Sequence, residues 1–144
     1  MGSSLGGLIS TFAGIEHQDV FSKVGAFSPA YWINPEAFGH VMSTGKNENM
    51  RIYQVAGTLE GSDYIDQMFA MEDSLHSAGF GIDEVLTIEQ SDGQHSEWFW
   101  AREFEAAYLW LFRNGITDTK ELTVNDKYFR LYPNPVGDFL KLEF

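Results

Sequence analysis

The chain of 144 residues contains no cysteine, which excludes disulfide bonds, thiolate zinc sites and cysteine nucleophiles. Basic residues are scarce: nine Lys and Arg stand against 21 Asp and Glu, so the formal net charge is −12. A field of that sign repels nucleic acid and anionic membrane surfaces, and we expect neither as a partner. No apolar run reaches the length of a membrane span, and the first residues given lack the basic segment and apolar stretch typical of a signal peptide.

Apolar and aromatic residues are plentiful, at 44% and 15% of the chain, and their spacing alternates between helical and extended patterns. The pattern predicts helices over residues 3–16, 34–43, 62–78 and 97–113. It predicts buried strands over residues 24–29, 50–57 and 84–90. Strands that alternate with helices form parallel sheets covered on both faces, which is an α/β fold. Three such strands make a poor sheet, so we expect the edge beside the first to be exposed and an N-terminal half to be missing.

The composition changes after Gly115. Residues 1–115 form the predicted α/β domain, and the polar residues 116–126 are typical of a linker. Residues 127–144 contain Pro, Gly and alternating apolar residues, a pattern typical of the first strands of a β-module. We expect both ends of the chain to be truncated, with any export signal upstream of Met1.

The pattern G-x-S-x-G occupies residues 2–6 and is typical of a nucleophile elbow, in which a serine sits on a strained turn between a strand and a helix. Ser4 is the serine of this pattern. The strand that should precede it is expected to be absent, because the chain begins at Met1. The alternative is that Ser4 only caps the first helix.

Two later loops carry the residue types that activate a serine. Glu60 follows the second predicted strand, and His95 follows the third. Both loops lie at the carboxyl ends of parallel strands, where ligand sites form, and the order of serine, acid and histidine is that of α/β-hydrolases. Asp63 is the alternative acid, and Asp92 is interpreted as a turn residue.

The chemistry needs each of these residue types. A serine hydroxyl becomes a good nucleophile when an imidazole takes its proton, and a carboxylate fixes the imidazole's tautomer. Two N–H donors stabilise the oxyanion. The N–H of Leu5 is one candidate donor. The second normally comes from a loop early in the fold, which these 144 residues lack, so we expect little turnover from this chain alone.

Four segments carry a family resemblance: "GSSLGGLIS", "VGAFSPAYW", "VAGTLEGSDY" and "DGQHSEWFW". Together they resemble the Putative esterase family of α/β-hydrolases, which includes esterase-D-like enzymes, siderophore esterases and feruloyl esterases. The resemblance covers residues 1–114 and implies the C-terminal half of that fold. It implies Ser4 as the nucleophile, His95 as the general base and Glu60 as the acid. Family members often have Asp at the acid position, and some use a Ser–His pair.

Several aromatic residues are candidates for a substrate pocket. Tyr31 and Trp32 either line the pocket or pack in the core, and Trp98 is a candidate because it lies off the apolar stripe of its helix. Ser3, beside the nucleophile, is a further candidate. The sequence shows no Gly-rich phosphate loop and no cluster of metal ligands, so we expect no cofactor and no metal.

The tail resembles a second family. "LYPNPVGDFLKLEF" is similar to the opening of the type IX secretion C-terminal sorting domain, a small β-sandwich read by the secretion machinery. The resemblance implies that the protein is secreted or attached to the cell surface.

The sequence thus favours a secreted serine carboxylic-ester hydrolase that acts through an acyl-enzyme on a small-molecule or carbohydrate ester. An acyltransferase with the same triad is one alternative. A non-catalytic, hydrolase-like fragment or binding module is the other.

Overall fold

The computed structural model describes residues 1–112 and two pairs of strand residues, 130–131 and 142–143. Residues 1–113 form one compact unit, with four parallel strands in the order β1-β2-β3-β4. The strands are β1 (Gly2–Ser3), β2 (Lys23–Phe27), β3 (Arg51–Gly57) and β4 (Val85–Gln90). The α-helices are α1 (Leu5–Glu16), α2 (Glu36–Thr44), α3 (Ser62–Ser77) and α4 (Glu97–Phe112). The predicted α/β fold with a parallel sheet is confirmed.

Helices cover both faces of this sheet. Along β3, Ile52 packs into a core formed with α1, α2 and α3, whereas the next residue, Tyr53, packs into a second core formed with α4. Successive side chains of a strand point to opposite faces, which is why one strand serves two cores. A strand buried on both faces needs an almost continuous apolar sequence, as β3 has.

The first strand corrects the expectation that no strand precedes Ser4 and that the sheet has three strands. Gly2 and Ser3 pair in parallel with Ala26 and Phe27. Two residues are too few to show a sequence period, so only the pairing with β2 reveals the strand. The nucleophile-elbow pattern therefore has its strand, turn and helix.

The buried face of α4 differs from the predicted one, which comprised Trp100, Phe104, Ala107, Tyr108 and Leu111. The helix buries Phe99, Glu103, Ala107 and Leu111, and leaves Phe104 and Tyr108 about half exposed, at 48% and 47%. Glu103 can lie on the buried face because Gln90 and Arg102 donate hydrogen bonds to its carboxylate. The prediction is thus confirmed for Ala107 and Leu111 and wrong for Phe104 and Tyr108, because hydrophobicity alone cannot assign a charged residue such as Glu103 to the core.

Residues 114–144 form a second unit, in which β5 (Arg130–Leu131) and β6 (Leu142–Glu143) pair antiparallel. The predicted linker over residues 116–126 and most of the predicted sorting segment over 127–144 lie outside the described residues. The sorting domain therefore stays a prediction. None of the helices in the described part of the chain has the length and apolarity that a membrane span requires.

Candidate active site

Ser4 stands on the turn between β1 and α1 with φ 55° and ψ −120°. A positive φ in a residue other than glycine costs about 1–3 kcal/mol and persists where neighbouring bonds hold it. Here the Ser4 N–H donates to the carbonyl of Phe27 at 2.9 Å, and the Ser4 carbonyl accepts from Gly7, Leu8 and Ala30. Within residues 1–112 the Ser4 side chain makes no capping hydrogen bond to α1. The hydroxyl is therefore available for another role.

The first glycine of the elbow is required by close backbone packing. A Cβ on Gly2 would lie 2.5 Å from the carbonyl oxygen of Gly6, the last glycine of the pattern. Only a residue without a side chain allows the strand and the first turn of α1 to approach this closely.

The N–H of Leu5 lies at the start of α1, directly after Ser4. The first N–H groups of a helix have no acceptor within the helix, and the helix dipole favours negative charge there. The position of Leu5 therefore suits a donor to a negatively charged oxygen bound beside Ser4.

Glu60 ends a short 3-10 helix, Thr58–Glu60, that follows β3. Its side chain is fully buried, at 0% exposure, and both carboxylate oxygens are paired. Oε1 accepts hydrogen bonds from the Gly57 N–H and the Ser28 hydroxyl, both at 2.7 Å. Oε2 lies 2.7 Å from Nδ1 of His95. An ionised carboxylate can only accept, so Nδ1 is the donor in this bond and Nε2 carries no proton in the neutral imidazole.

His95 lies on the loop after β4, with its side chain 32% exposed. Two aromatic rings hold the imidazole. The ring of Tyr64 lies 5.0 Å away at an angle of 46°, and the ring of Trp100 lies 5.0 Å away in an edge-on arrangement. These contacts restrict the imidazole to the orientation in which Nδ1 meets Glu60.

The loops that carry Glu60 and His95 are packed backbone against backbone. A Cβ on Gly57 would lie 2.1 Å from the carbonyl of Gly93, so both positions need glycine. The Thr58 hydroxyl also donates to the carbonyl of Ser91 at 2.8 Å. This contact fixes the distance between the two loops and hence between the acid and the imidazole.

Asp92 has a structural partner. Arg102 donates two hydrogen bonds to its carboxylate, at 2.6 and 2.9 Å, and these bonds lower the pKa of Asp92. Arg102 also bonds to the buried Glu103. Asp92 thus ties the loop of His95 to α4, while Glu60 is the carboxylate that bonds to His95.

Three sequence-predicted residues therefore lie at the carboxyl edge of one sheet: Ser4 after β1, Glu60 after β3 and His95 after β4. The structure joins Glu60 to His95 directly. Among residues 1–112 it shows no hydrogen bond between the Ser4 hydroxyl and His95.

Residues 1–111 match the model of the "Putative esterase" family. The chain belongs to the Putative esterase family. Over 120 residues it is 31% identical to "Uncharacterized protein YbbA" of Bacillus subtilis, an alignment that covers 78% of this chain and 48% of YbbA. The chain thus spans about half the length of this relative.

Solved esterase structures share the fold. The enterobactin esterase FES from Shigella flexneri, crystallised in the presence of enterobactin, superposes with a TM-score of 0.66 at 23% identity, over 78% of this chain and 29% of FES. A ferulic acid esterase superposes with a TM-score of 0.58 at 16% identity, over 76% of this chain and 48% of that one. At these identities the likeness shows the fold alone.

Among the pocket candidates of this esterase-family chain, Tyr31 is a core residue. It is fully buried, and its hydroxyl bonds to Thr11 at 2.9 Å and to Gln54 at 2.7 Å. Burial raises the pKa of this phenol well above its usual value. Of the two alternatives for Tyr31, a place in the pocket or in the core, the structure supports the core.

Trp32 and Trp98 lie in different surroundings. Trp32 is 50% exposed and lines a hollow of about 340 Å³ together with Glu60, Gly61, Ser62, Asp63 and Tyr64. Trp98 packs against Arg102 and Phe99. The indole that contacts His95 belongs to Trp100, which the sequence analysis did not propose for the site.

Ser3 lines a separate hollow of about 270 Å³, bounded by Met1, Gly2, Phe27, Trp100, Ala101 and Phe104. In the part of the chain that the structure describes, no three His, Asp or Glu side chains group closely enough to hold a metal ion.

Ser28 is a site residue that sequence analysis missed. It is fully buried and has φ 44°. Its hydroxyl donates to Glu60 and accepts from Nε1 of Trp100 at 2.8 Å. The prediction placed it inside a strand that ran to Pro29, whereas β2 ends at Phe27. The sequence signal that could have identified Ser28 is its polar side chain at the carboxyl end of β2. This strand lies between β1, which precedes Ser4, and β3, which precedes Glu60.

Proposed function

We propose that this chain carries the catalytic residues of a serine carboxylic-ester hydrolase, with Ser4 as nucleophile, His95 as general base and Glu60 as acid. The observation that carries the proposal is the 2.7 Å hydrogen bond between His95 and the buried Glu60. A buried carboxylate that holds a partly exposed imidazole, at the sheet edge that also presents a strained serine, is the arrangement nucleophilic catalysis needs. Membership of the esterase family supports the same reaction class.

In the proposed acylation step, Nε2 of His95 takes the proton of Ser4 as Oγ attacks the ester carbonyl carbon. The carbonyl oxygen becomes an oxyanion, which the Leu5 N–H stabilises, while Glu60 stabilises the imidazolium. When the intermediate collapses, the bond between carbon and alcohol oxygen breaks. Nε2 then gives its proton to the leaving alcohol, and the acyl group stays on Ser4.

In the proposed deacylation step, water attacks the acyl carbon as Nε2 takes one of its protons. The bond to Ser4 breaks, the carboxylic acid leaves, and the proton on Nε2 returns to Ser4 Oγ. The imidazole thus serves as base and then as acid in each half of the reaction.

The acyl-enzyme is tested by rapid-mixing kinetics on the full-length protein that carries these residues, with a chromogenic activated ester. We expect a burst of released alcohol stoichiometric with protein, followed by slower turnover. An added alcohol acceptor distinguishes hydrolysis from acyl transfer, because a transferase gives mainly the new ester. Absence of both burst and turnover across a panel of esters would indicate a non-catalytic module.

We further propose that the hollow at Trp32 binds the aromatic or sugar ring of a small-molecule or carbohydrate ester. Trp32 and Tyr64 form an edge-to-face aromatic pair on its wall, with ring centres 6.5 Å apart, and Tyr64 contacts His95. Aromatic faces stack on planar and sugar rings, which would place the ester beside the catalytic residues.

Replacement of Trp32 by alanine should raise KM for feruloylated sugar esters about three- to tenfold, the effect of losing one aromatic contact. Steady-state kinetics on the full-length protein measures this. Trp32→Phe should keep most of the affinity. Ile33→Ala is the matched control, since Ile33 is similarly exposed in the same turn. Equal effects of Trp32→Ala and Ile33→Ala would refute a ring-binding role.

We also propose that residues 127–144 belong to a sorting domain that directs the protein to the cell surface or the medium. The "YPNP" segment and the antiparallel pairing of β5 with β6 support this. Fractionation of cells with and without a working type IX secretion system tests it. We expect the full-length protein outside the cell only when the system works, and equal export in both strains would contradict the proposal.

A further inference from the structure

The hydroxyl of Ser28 joins three separate elements of the fold. Ser28 follows β2, its Oγ donates at 2.7 Å to Oε1 of Glu60 after β3, and it accepts at 2.8 Å from the indole of Trp100 in α4. The ring of Trp100 in turn packs edge-on against His95. Ser28 therefore contacts the acid directly and the imidazole through one intermediate residue.

The bond from Trp100 determines which way the Ser28 hydroxyl points. An indole N–H can only donate, so it occupies an acceptor position on Ser28 Oγ. The single hydroxyl proton is then directed at Oε1 of Glu60. Together with the Gly57 N–H at 2.7 Å, it holds Oε1 so that Oε2 faces His95.

The backbone of Ser28 is held in a conformation that serine does not prefer. Its φ is 44°, and its N–H donates to the carbonyl of Val55 at 2.7 Å. Glycine would adopt this φ at lower cost. Strained residues of this kind are found at functional sites. Because Ser28 is also fully buried beside the Glu60 carboxylate, we expect its hydroxyl to have a role there.

We propose that Ser28 is a positioning residue that orients the carboxylate of Glu60, and through it the imidazole of His95, for proton transfer. The proposal rests on the proposed function for its kinetic consequence, but the orientation of the Glu60–His95 pair is measurable without turnover. Ser28 itself does not contact the reacting atoms.

Two substitutions separate the effect of the Ser28 hydroxyl from the effect of the strain in the Ser28 backbone. Ser28→Ala removes the hydroxyl and keeps the strain, whereas Ser28→Gly removes both. In the full-length protein we expect either change to lower kcat about tenfold or more, as misplaced catalytic groups do, with KM within twofold. Thermal stability should be higher for Ser28→Gly than for Ser28→Ala. If Ser28→Gly keeps the native kcat, the hydroxyl is not needed and the proposal is overturned.

Proton NMR of the full-length protein without substrate supplies the second readout. The proton on His95 Nδ1 should give a low-field resonance because it is shared with a carboxylate at 2.7 Å. We expect this resonance to move upfield or broaden in both Ser28 variants. It should stay unchanged in Ser77→Ala, an exposed serine at the end of α3. An unchanged resonance in a folded Ser28 variant overturns the proposal.

The two readouts also distinguish failure of this proposal from failure of the proposed function. A protein that hydrolyses no ester, but whose His95 resonance shifts in the Ser28 variants, would lack the proposed activity and keep the positioning role. A protein that turns over normally in Ser28→Gly would keep the activity and lose the positioning role.

Discussion

Replacement of Ser4 by alanine is expected to lower kcat for ester hydrolysis by the full-length protein by roughly 10⁴-fold or more, the effect of removing a triad nucleophile. Without Oγ no acyl-enzyme can form. The remaining rate would come from the Leu5 N–H and from water activated by His95. The burst of alcohol should disappear, while KM for the same ester should change little.

The fold should survive this change. The Ser4 backbone makes its four hydrogen bonds through N–H and carbonyl groups, which alanine retains, so the melting temperature should stay within a few degrees. Ser77→Ala is the matched control, since it removes an exposed serine hydroxyl from the end of α3. A folded Ser4→Ala protein with more than one tenth of the native kcat would exclude Ser4 as the nucleophile.

Replacement of Glu60 by glutamine is expected to lower kcat by roughly 10³- to 10⁴-fold, as loss of the correct histidine tautomer does in a serine triad. The Gly57 N–H is only a donor, so the amide oxygen of glutamine must take the place of Oε1. The amide NH₂ then faces Nδ1 of His95. The imidazole can accept that bond only with its proton on Nε2, where it cannot take the proton of Ser4.

Asp63→Asn tests the alternative acid, because Asp63 lies three residues after Glu60 and is exposed in the first turn of α3. It should change kcat by less than threefold. A large loss of kcat in Asp63→Asn with a small loss in Glu60→Gln would assign the acid to Asp63. If both variants keep a near-native kcat, neither carboxylate is the acid, and the protein uses a Ser–His pair.

Order along the chain made the Ser4, Glu60 and His95 positions predictable. Glu60 and His95 each follow a segment whose apolar pattern marks a buried strand, and Ser4 is marked by the G-x-S-x-G pattern. Parallel strands bring their carboxyl ends to one edge of the sheet. The parallel sheet with helices on both faces was also predictable, since short apolar, strand-like runs alternate with segments of helical spacing.

Contacts between elements were not predictable. Ser28 lies three residues before Tyr31 and has the pattern of a strand end, and nothing in the local sequence shows that its φ is positive. The apolar spacing of α4 places Trp100 on the predicted core stripe and Trp98 off it, and only the packing of α4 shows that Trp100 lies against His95. Tyr31 is buried because Thr11 and Gln54 satisfy its hydroxyl from two distant elements.

The identity of the nucleophile is the central claim, and covalent labelling by a fluorophosphonate tests it most directly. The full-length protein is treated with the probe, digested and examined by mass spectrometry. We predict one adduct per chain, located on Ser4, absent in Ser4→Ala, slower to form in Glu60→Gln and unchanged in Ser77→Ala. An adduct on any other serine, or none on Ser4 in folded protein, would contradict the account.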